Sequence, residues 1–369
     1  MKHNMKLLIL GSGNIGSTIA TLLSQYDDYE ITIASHNEKS LKKLKKSFKK
    51  VHVAITTLLI DVSDSKLLKK EFTKVDVVVS ALSYYYNIEI AKVALKAECS
   101  YFDLTEDRAT TSAIKKIAND ATKGQVFMPQ CGLAPGFIGI LAYGLSHKLT
   151  KLKSLKMRVG ALPLYPTNQL KYNLSWSTDG LINEYCNPSE VILDGKKQEV
   201  MPLEGLEYFN FEGVEYETFN TSGGLGTLCD TLEGKIDELS YKTIRYKGHR
   251  FLIDFLLNDL NLKNRRAMLK EIFEAEIPMT QQDVVLVFCS VIGYKNSKFS
   301  QISYAKKLYG KTVLNQTFSA IEMTTAVGIC TAIDLFKTEV LPQQGFLTQE
   351  DINLDIFLKN RFGVYYEEK

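Results

Sequence analysis

In the first half of the chain, short apolar runs alternate with segments whose apolar residues lie three or four positions apart. The runs predict strands, and the spaced segments predict helices. Residues 75–80 (VDVVVS) are mostly β-branched, which is typical of a strand buried on both faces of a parallel sheet. The predicted elements are strands Lys6–Leu10, Glu30–Ala34, Val51–Ile60, Val75–Ser80, Ser100–Asp103 and Gln125–Met128, and helices Asn14–Leu23, Glu38–Phe48, Asp64–Phe72, Asn87–Ala97 and Thr110–Lys123. Repeated βα units predict a doubly wound parallel α/β sheet with right-handed crossovers.

After about residue 150 the pattern changes to longer runs separated by turn residues, which predicts a second, α+β domain on a largely antiparallel sheet. Its predicted strands are Leu155–Ala161, Val191–Val200 around Asp194-Gly195, Ser240–Gly248, Asp283–Gly293, Phe299–Tyr309 and Thr312–Phe318 after a Gly310-Lys311 turn. A long helix, Ala320–Lys337, follows with Ile321, Thr325, Ile329 and Ile333 on one stripe. We expect this helix to return to the first domain. The predicted domains are therefore residues 1–140, 141–319 and 320–369, the last being C-terminal helices.

Composition narrows the function classes. The protein has 369 residues, 45% of them hydrophobic and 24% charged, as expected of a globular protein of about two domains. A net charge of +3 does not indicate a nucleic-acid partner. The cysteines form no CxxC pair, so we expect reduced thiols, no metal site and a cytoplasmic location. The segment 124–147 lacks charge but is interrupted by prolines and glycines, so we expect no membrane span.

A glycine-rich turn is the first chemical signal. Gly11, Gly13 and Gly16 form a GxGxxG motif, GSGNIG, between a predicted strand and a predicted helix. This context favours a Rossmann dinucleotide-binding site over a turn without a ligand. Gly11 permits the tight turn, Gly13 lets the backbone approach a pyrophosphate, and Gly16 lets the helix lie close to the strand. Asn14 and Ile15 open the helix, whose free N–H groups favour the anion.

The end of the second strand bears on the choice between NAD and NADP. NAD enzymes usually place a carboxylate there, but this protein has Ser35 and His36 followed by Lys39. These groups tolerate a 2′-phosphate, so the sequence favours NADP, with NAD as the alternative. Asp61, at the end of the third strand, is either a contact to the adenine side or a plain surface carboxylate.

Several phrases of the sequence resemble one family. They are Ala81-Leu82-Ser83-Tyr84, Tyr101-Phe102-Asp103-Leu104, Gly132-Leu133-Ala134-Pro135-Gly136, Tyr172-Asn173 through Ser175-Trp176, Gly180-Leu181, Phe219-Asn220-Thr221-Ser222-Gly223-Gly224 and Tyr241-Lys242-Thr243-Ile244-Arg245-Tyr246-Lys247-Gly248-His249. In this order they are similar to the saccharopine dehydrogenase family, most closely its bacterial lysine 6-dehydrogenase-like branch. One departure is Asn220, where lysine 6-dehydrogenases tend to carry histidine.

The resemblance implies NAD(P)-dependent hydride transfer at the C–N bond in the side chain of lysine or of a lysine conjugate. With lysine, hydrolysis of the resulting imine releases ammonia and an aminoadipate semialdehyde; with saccharopine it releases glutamate. It further implies a Rossmann domain with Ala81, Leu82 and Pro135 near the cofactor, and an inserted α+β substrate domain.

Substrate contacts are expected in the second domain. Arg245 is either a surface arginine or a bidentate partner of a substrate carboxylate, and the motif favours the second interpretation. Thr221, Ser222 and Gly223 form either an ordinary connection or a turn whose N–H groups bind an anion. Trp176 is a candidate substrate contact, with a packing role as the alternative.

The amine must be neutral before hydride can leave, so a residue must handle its proton. The candidates are Asp103, at a predicted strand end, Tyr84, just after another, and His249. Ligands of open α/β sheets bind outside the carboxyl ends of the strands, which favours Asp103 and Tyr84. His249 titrates in the right range, although a lone histidine is more often structural. Tyr84, Tyr85 and Tyr86 are alternatively a cover for the nicotinamide.

Two other functions remain open from the sequence alone. One is a reductase of a polyamine precursor of the carboxynorspermidine type, and the other is a non-catalytic NAD(P)-binding protein. In every case we expect a homodimer, and for the enzyme a small amino-acid substrate.

Overall fold

The computed structural model describes residues 4–48 and 53–367. Over these residues the strands are β1 (Met5–Leu10), β2 (Tyr29–Ser35), β3 (Ile55–Leu59), β4 (Val77–Ser80), β5 (Ser100–Asp103), β6 (Val126–Met128), β7 (Lys151–Pro163), β8 (Ser189–Leu193), β9 (Lys196–Val200), β10 (Glu207–Phe211), β11 (Val214–Asn220), β12 (Glu238–Tyr246), β13 (Asp283–Lys295), β14 (Lys298–Tyr309), β15 (Lys311–Val313), β16 (Gln316–Phe318) and β17 (Gly345–Phe346). The helices are α1 (Asn14–Leu23), α2 (Glu38–Ser47), α3 (Ser65–Phe72), α4 (Asn87–Ala97), α5 (Arg108–Ala118), α6 (Phe137–Ser146), α7 (Thr178–Cys186), α8 (Leu228–Leu232), α9 (His249–Asp254), α10 (Arg266–Glu276), α11 (Ala320–Lys337) and α12 (Leu354–Lys359).

The protein divides into two compact units. Unit 1 comprises Met1–Phe137, Thr312–Phe318 and Glu322–Lys369, and unit 2 comprises Ile138–Lys311 and Ser319–Ile321. Each unit is built on one large sheet.

Unit 1 contains a parallel sheet in the order β17-β6-β5-β4-β1-β2-β3. The predicted doubly wound sheet is therefore confirmed. Every residue of β4 is buried, as its apolar sequence predicts. The strand order reverses on either side of β1, and such a switch point forms a crevice at the carboxyl ends of the strands.

The long helix α11 runs over the predicted residues, and from Glu322 onward it belongs to unit 1. It is buried around most of its circumference rather than along one stripe, and Thr325 of the predicted stripe is only half-buried. Its residue Gly328 lies so close to the backbone at Gly132 that a Cβ would come within 2.5 Å of that carbonyl oxygen. A helix buried on all sides accounts for its weak amphipathic pattern.

Unit 2 is built on a mixed sheet with the main order β10-β11-β12-β7-β13-β14. Most neighbours are antiparallel, as predicted, but β12 and β7 are parallel. The Asp194-Gly195 turn joins the antiparallel pair β8 and β9. The hairpin β10–β11 and helices α7, α9 and α10 were not predicted from the sequence.

One predicted strand is wrong. Residues 312–318 do not continue the large sheet, because β15 and β16 pair only with each other. The backbone reverses at Leu314 and Asn315, which both have positive φ, and Lys311 belongs to β15 rather than to a turn. Residues 51 and 52 of the predicted third strand lie outside the described residues.

Candidate cofactor and substrate sites

The three positions of the motif require glycine for different physical reasons. Gly11 has φ of +111° and a Cβ there would come 2.6 Å from the carbonyl oxygen of Ala81. A Cβ on Gly16 would come 2.0 Å from the carbonyl oxygen of Gly11. Gly13 has φ of −73°, and a Cβ on it would meet no described atom within 4 Å. Packing therefore requires glycine at positions 11 and 16, whereas a ligand that approaches the backbone is the physical reason for glycine at 13.

A cavity of about 460 Å³ opens beside this turn. Of the predicted cofactor residues, seven line it: Gly11, Gly13, Ser35, His36, Asp61, Ala81 and Leu82. Tyr86, expected as a possible cover for the nicotinamide, also lines it, and the sequence did not single out the remaining lining residues, which are Ser12, Ala34, Asn37, Ser40, Ile60 and Val62. Asn14, Ile15, Gly16 and Pro135 are not among the lining residues. The open side of Gly13 and the adjacent N-terminus of α1 fit the pyrophosphate of a dinucleotide.

Several polar groups at the β2 end of this cavity already make hydrogen bonds with neighbouring residues. Ser35 Oγ accepts a hydrogen bond from Asn37 N at 3.1 Å, and Asn37 Oδ1 caps α2 by accepting from Ser40 N at 3.1 Å. Asp61 accepts from Ser63 N at 2.9 Å. That backbone bond, together with a hydrogen bond from the Ser63 side chain, lowers the pKa of the Asp61 carboxyl group. The tip of β2 therefore has no carboxylate, and the carboxylate in the cavity wall lies just beyond β3.

Substituting Gly13 separates ligand binding from folding. Gly13→Ala is expected to weaken NADP binding about 10-fold or more, because the added methyl group occupies the space of the pyrophosphate. The free energy of unfolding should change by less than about 1 kcal/mol, the usual cost of alanine at a helix N-cap. Fluorescence titration with NADPH measures the first effect, and urea unfolding measures the second.

Gly16→Ala is the matched control. It should destabilise unit 1 by about 1–3 kcal/mol or more, because its Cβ overlaps a backbone oxygen. Unchanged NADPH affinity in folded Gly13→Ala would contradict this position of the pyrophosphate.

Asp103 lies at the end of β5 and is fully buried. Its carboxylate accepts hydrogen bonds from Asn87 Nδ2 at 3.0 Å, Tyr101 Oη at 2.7 Å, Thr105 N at 2.9 Å and Gln130 N at 3.1 Å. Burial raises the pKa of this carboxyl group to about 6. Asp103 does not line the cavity. These contacts suit a group that positions β5, α4 and the segment at Gln130; its role as the proton carrier stays a prediction.

Tyr84 begins a 3-10 turn, Tyr84–Tyr86. Its ring lies 4.2 Å from that of Tyr85, measured between centroids, and burial raises the pKa of the Tyr84 hydroxyl group. Of the three tyrosines only Tyr86 lines the cavity. The expected proton carrier Tyr84 is therefore next to the cofactor cavity without being part of its wall.

In unit 2, Arg245 is the centre of a buried polar cluster. Its guanidinium lies 5.1 Å from the ring of Tyr172 and 5.6 Å from that of Tyr185. Nε donates to Tyr185 Oη at 2.8 Å, and Nη1 donates to Thr243 Oγ1 and to the carbonyl of Ile244. Nη2 lies 3.8 Å from Oε2 of Glu184, longer than a hydrogen bond. Two of the three nitrogens are thus engaged by protein, so the geometry favours carboxylate binding by Nη2 alone rather than the expected bidentate contact.

His249 belongs to the same buried cluster. It is 1% exposed. Nδ1 donates to the carbonyl of Leu170 at 2.8 Å, so Nε2 accepts from Tyr185 Oη at 2.9 Å. Burial and the nearby Arg245 lower the pKa of the imidazole to about 3. The ring is therefore neutral near pH 7, and its Nε2 fixes the Tyr185 hydroxyl group through this hydrogen bond.

The other predicted substrate residues lie around this cluster. Trp176 is half-buried and donates from Nε1 to Tyr172 Oη at 3.1 Å. Ser222 donates from its backbone to the Glu184 carbonyl at 3.1 Å and from Oγ to the Asn183 carbonyl at 3.1 Å. The turn at Thr221, Ser222 and Gly223 is buried and is thereby attached to α7.

Sequence reasoning missed Tyr185 and Glu184, because it predicted no helix at 178–186. Tyr172 belongs to one of the family phrases, but no role was predicted for it. A helical signal was present, since Ser177 caps α7 by accepting from Gly180 N at 3.2 Å and serine is a preferred N-cap residue.

The parallel sheet, the glycine turn and its cavity define a dinucleotide-binding α/β protein. Residues 7–128 match the saccharopine dehydrogenase NADP binding domain, and residues 132–359 match the saccharopine dehydrogenase C-terminal domain. The protein belongs to the saccharopine dehydrogenase family. The expected cofactor class, NADP, is confirmed by this match.

Individual relatives agree with the family. The sequence is 24% identical to mouse (Mus musculus) mitochondrial alpha-aminoadipic semialdehyde synthase over 332 residues, which cover 83% of this protein and 34% of the mouse protein. It is 26% identical over 221 residues to saccharopine dehydrogenase [NADP(+), L-glutamate-forming] from Saccharomyces cerevisiae, covering 57% of this protein and 48% of the yeast protein. The match thus spans about a third of the mouse relative and about half of the yeast one.

A solved structure supports the fold. Apo saccharopine dehydrogenase (L-Glu forming) from Saccharomyces cerevisiae superposes with a TM-score of 0.79 at 18% identity, covering 97% of this protein and 98% of the yeast one. The predicted combination of a Rossmann sheet with a second, largely antiparallel sheet is confirmed by this match.

Membrane and metal features were also expected to be absent. Within residues 4–48 and 53–367, no helix combines the length and apolar character needed to cross a membrane. The same residues contain no group of three or more His, Cys, Asp or Glu side chains arranged to hold a metal ion.

Proposed function

We propose that this protein is an NADP-dependent oxidoreductase that acts on the C–N bond in the side chain of lysine or of a lysine conjugate such as saccharopine. The observation that carries the proposal is the buried Arg245, whose Nη2 is left by its protein contacts to bind a substrate carboxylate. An arginine buried between two tyrosine rings is a strong carboxylate site, because desolvation strengthens the charge interaction. The names of the mouse and yeast relatives support a substrate of the lysine pathway.

Residues of unit 1 would hold the cofactor. The glycine turn and the start of α1 suit the pyrophosphate, and Ser35 and His36 suit the 2′-phosphate. Bound NADP supplies the hydride acceptor. The protein must bind the amino acid, orient its C–N bond and accept a proton from the amine.

Residues of unit 2 would bind the substrate. Arg245 binds a carboxylate, and Tyr172 and Tyr185 fix the plane of its guanidinium. His249 and Asp103 are positioning residues in this proposal, because both are buried and fully engaged in hydrogen bonds. Tyr84 remains the candidate for the proton-transfer step. A cytoplasmic location and a homodimer remain predictions.

The test is the absorbance of reduced nicotinamide with purified protein, NADP or NAD, and either L-lysine or saccharopine. We expect turnover with NADP and one of the two substrates. Release of ammonia would identify lysine, and release of glutamate would identify saccharopine. Nucleotide binding without turnover of either substrate would contradict the proposal and favour a polyamine-precursor reductase or a non-catalytic protein.

A further inference from the structure

Glu184 is a buried carboxylate to which the proposed hydride transfer assigns no role. It is 7% exposed, and its Oε2 lies 3.8 Å from Arg245 Nη2. Its position is fixed, because α7 carries it and its backbone carbonyl accepts from Ser222 N. A carboxylate and a guanidinium held 3.8 Å apart match the two opposite charges of an amino-acid end group.

Two unsatisfied acceptors lie in the segments that form this cluster. Within the described residues, Asn173 Oδ1 and Thr221 Oγ1 are buried without a hydrogen-bond partner. Asn173 follows Tyr172, whose ring packs against Arg245, and Thr221 precedes Ser222. An amide oxygen only accepts hydrogen bonds, and an unpaired buried acceptor is costly. An ammonium group, with three N–H donors, would satisfy such oxygens.

The charges around Arg245 lead to the same ligand. Two buried glutamates accompany it: Glu184, and Glu217, which is opposite Arg245 in the β11–β12 register. Glu217 is engaged at the start of α9, where it accepts from Gly248 N at 2.9 Å and from Arg250 N. A guanidinium with the Glu184 carboxylate 3.8 Å away does not suit a ligand end with several carboxylates. It suits one carboxylate together with one ammonium.

We propose that Glu184 binds the α-ammonium group of the substrate while Arg245 binds the adjacent α-carboxylate, so that the site selects a free α-amino-acid end. This inference rests on the proposed function and specifies which end of the substrate unit 2 recognises. L-Lysine and saccharopine both carry such an end. Glu184 is thus a specificity-determining residue for it.

Substrate analogues separate the two charges. 6-Aminohexanoate is lysine without the α-ammonium, and cadaverine is lysine without the carboxylate. If saccharopine is the substrate, N-(5-carboxypentyl)glutamate is the matching analogue without the α-ammonium. Calorimetric binding and kcat/KM are measured with each compound, so that binding is read independently of turnover.

Glu184→Gln is expected to reduce the preference for lysine over 6-aminohexanoate about 10-fold or more, because it removes a charge-assisted hydrogen bond. The preference for lysine over cadaverine should remain, since both compounds keep that ammonium. Arg245→Lys should have the opposite pattern, reducing the preference over cadaverine. Glu184→Asp keeps the charge and should retain more of the first preference than Glu184→Gln.

Glu217→Gln is the matched control: it is a buried carboxylate opposite Arg245 in the β11–β12 register, and its oxygens accept from the backbone N–H groups of Gly248 and Arg250. It should leave both preferences unchanged even if it lowers stability. An unchanged preference over 6-aminohexanoate in folded Glu184→Gln, with lysine or saccharopine still bound, would overturn this inference alone. Failure of the wild-type protein to bind either substrate would overturn the proposed function and the inference with it.

Discussion

Replacing His249 with glutamine is expected to remove much of the acid sensitivity of unit 2. The imidazole is neutral in the folded protein, with its pKa lowered to about 3 from an ordinary value of 6.5. The unfolded protein takes up a proton below about pH 6.5, whereas the folded protein does not until about pH 3. The stability that this neutral ring provides is present above pH 6.5 and is lost as the pH falls towards 3.

The expected size of this effect is large. Between about pH 7 and pH 4.5 the lost free energy of unfolding is roughly 2–3 kcal/mol. A glutamine at position 249 can donate to the Leu170 carbonyl and accept from Tyr185, but it does not titrate. Wild-type protein should therefore lose about 2–3 kcal/mol more than His249→Gln over this pH interval.

Trp176 makes the measurement specific to unit 2. It is the only tryptophan of the sequence and is hydrogen-bonded to Tyr172 beside the Arg245 cluster. Urea unfolding followed by its fluorescence at the two pH values gives the two free energies. Equal losses in both proteins would contradict a neutral, buried His249. The pH profile of kcat should likewise have the same shape in the wild-type protein and in His249→Gln, because the imidazole stays neutral.

The elements of unit 1 were predictable because their signal is local. Strands such as β4 are continuously apolar and the helices between them are periodic, so pattern alone located α1 and α4 to the residue. The prediction failed at the β15–β16 hairpin, where the turn contains a residue type that is unusual for it. Leu314, a residue that rarely adopts positive φ, forms the reversal between β15 and β16, and no sequence rule would have predicted a hairpin there.

The glycine turn and the Arg245 cluster likewise differ in how local their sequence signal is. The glycine turn is a contiguous motif, so one stretch of sequence indicated its ligand. The Arg245 cluster joins Tyr172, Tyr185, Arg245 and His249 from separate elements, and only folding brings them together. Sequence also gives a residue type without its environment. His249 is a plausible proton carrier as a type, yet burial keeps it neutral.

Asp103 is a further case, and it provides the second large prediction. Its position at a strand end suggested a proton carrier, whereas four donors surround the buried carboxylate. Asp103→Ala leaves those donors without an acceptor and is expected to destabilise unit 1 by about 3–5 kcal/mol. NADPH binding should weaken as well, because Asn87 and Gln130 lose the group that positions them, and α4 follows directly on Tyr86 of the cavity wall.

The pH dependence of Asp103 is opposite in sign to that of His249. Its pKa in the folded protein, about 6, is above the ordinary 3.8, so its contribution is fully present below pH 3.8 and is lost as the pH rises through 6. Acidification from about pH 7 to 4.5 should therefore stabilise unit 1 by about 2 kcal/mol through this group. Asp103→Asn keeps the shape and removes the titration, so its β4 and β5 amides should lack this gain in hydrogen-exchange protection. If wild-type protein and Asp103→Asn respond equally to pH, the carboxyl group titrates in its ordinary range and the four hydrogen bonds, not burial, control its ionisation.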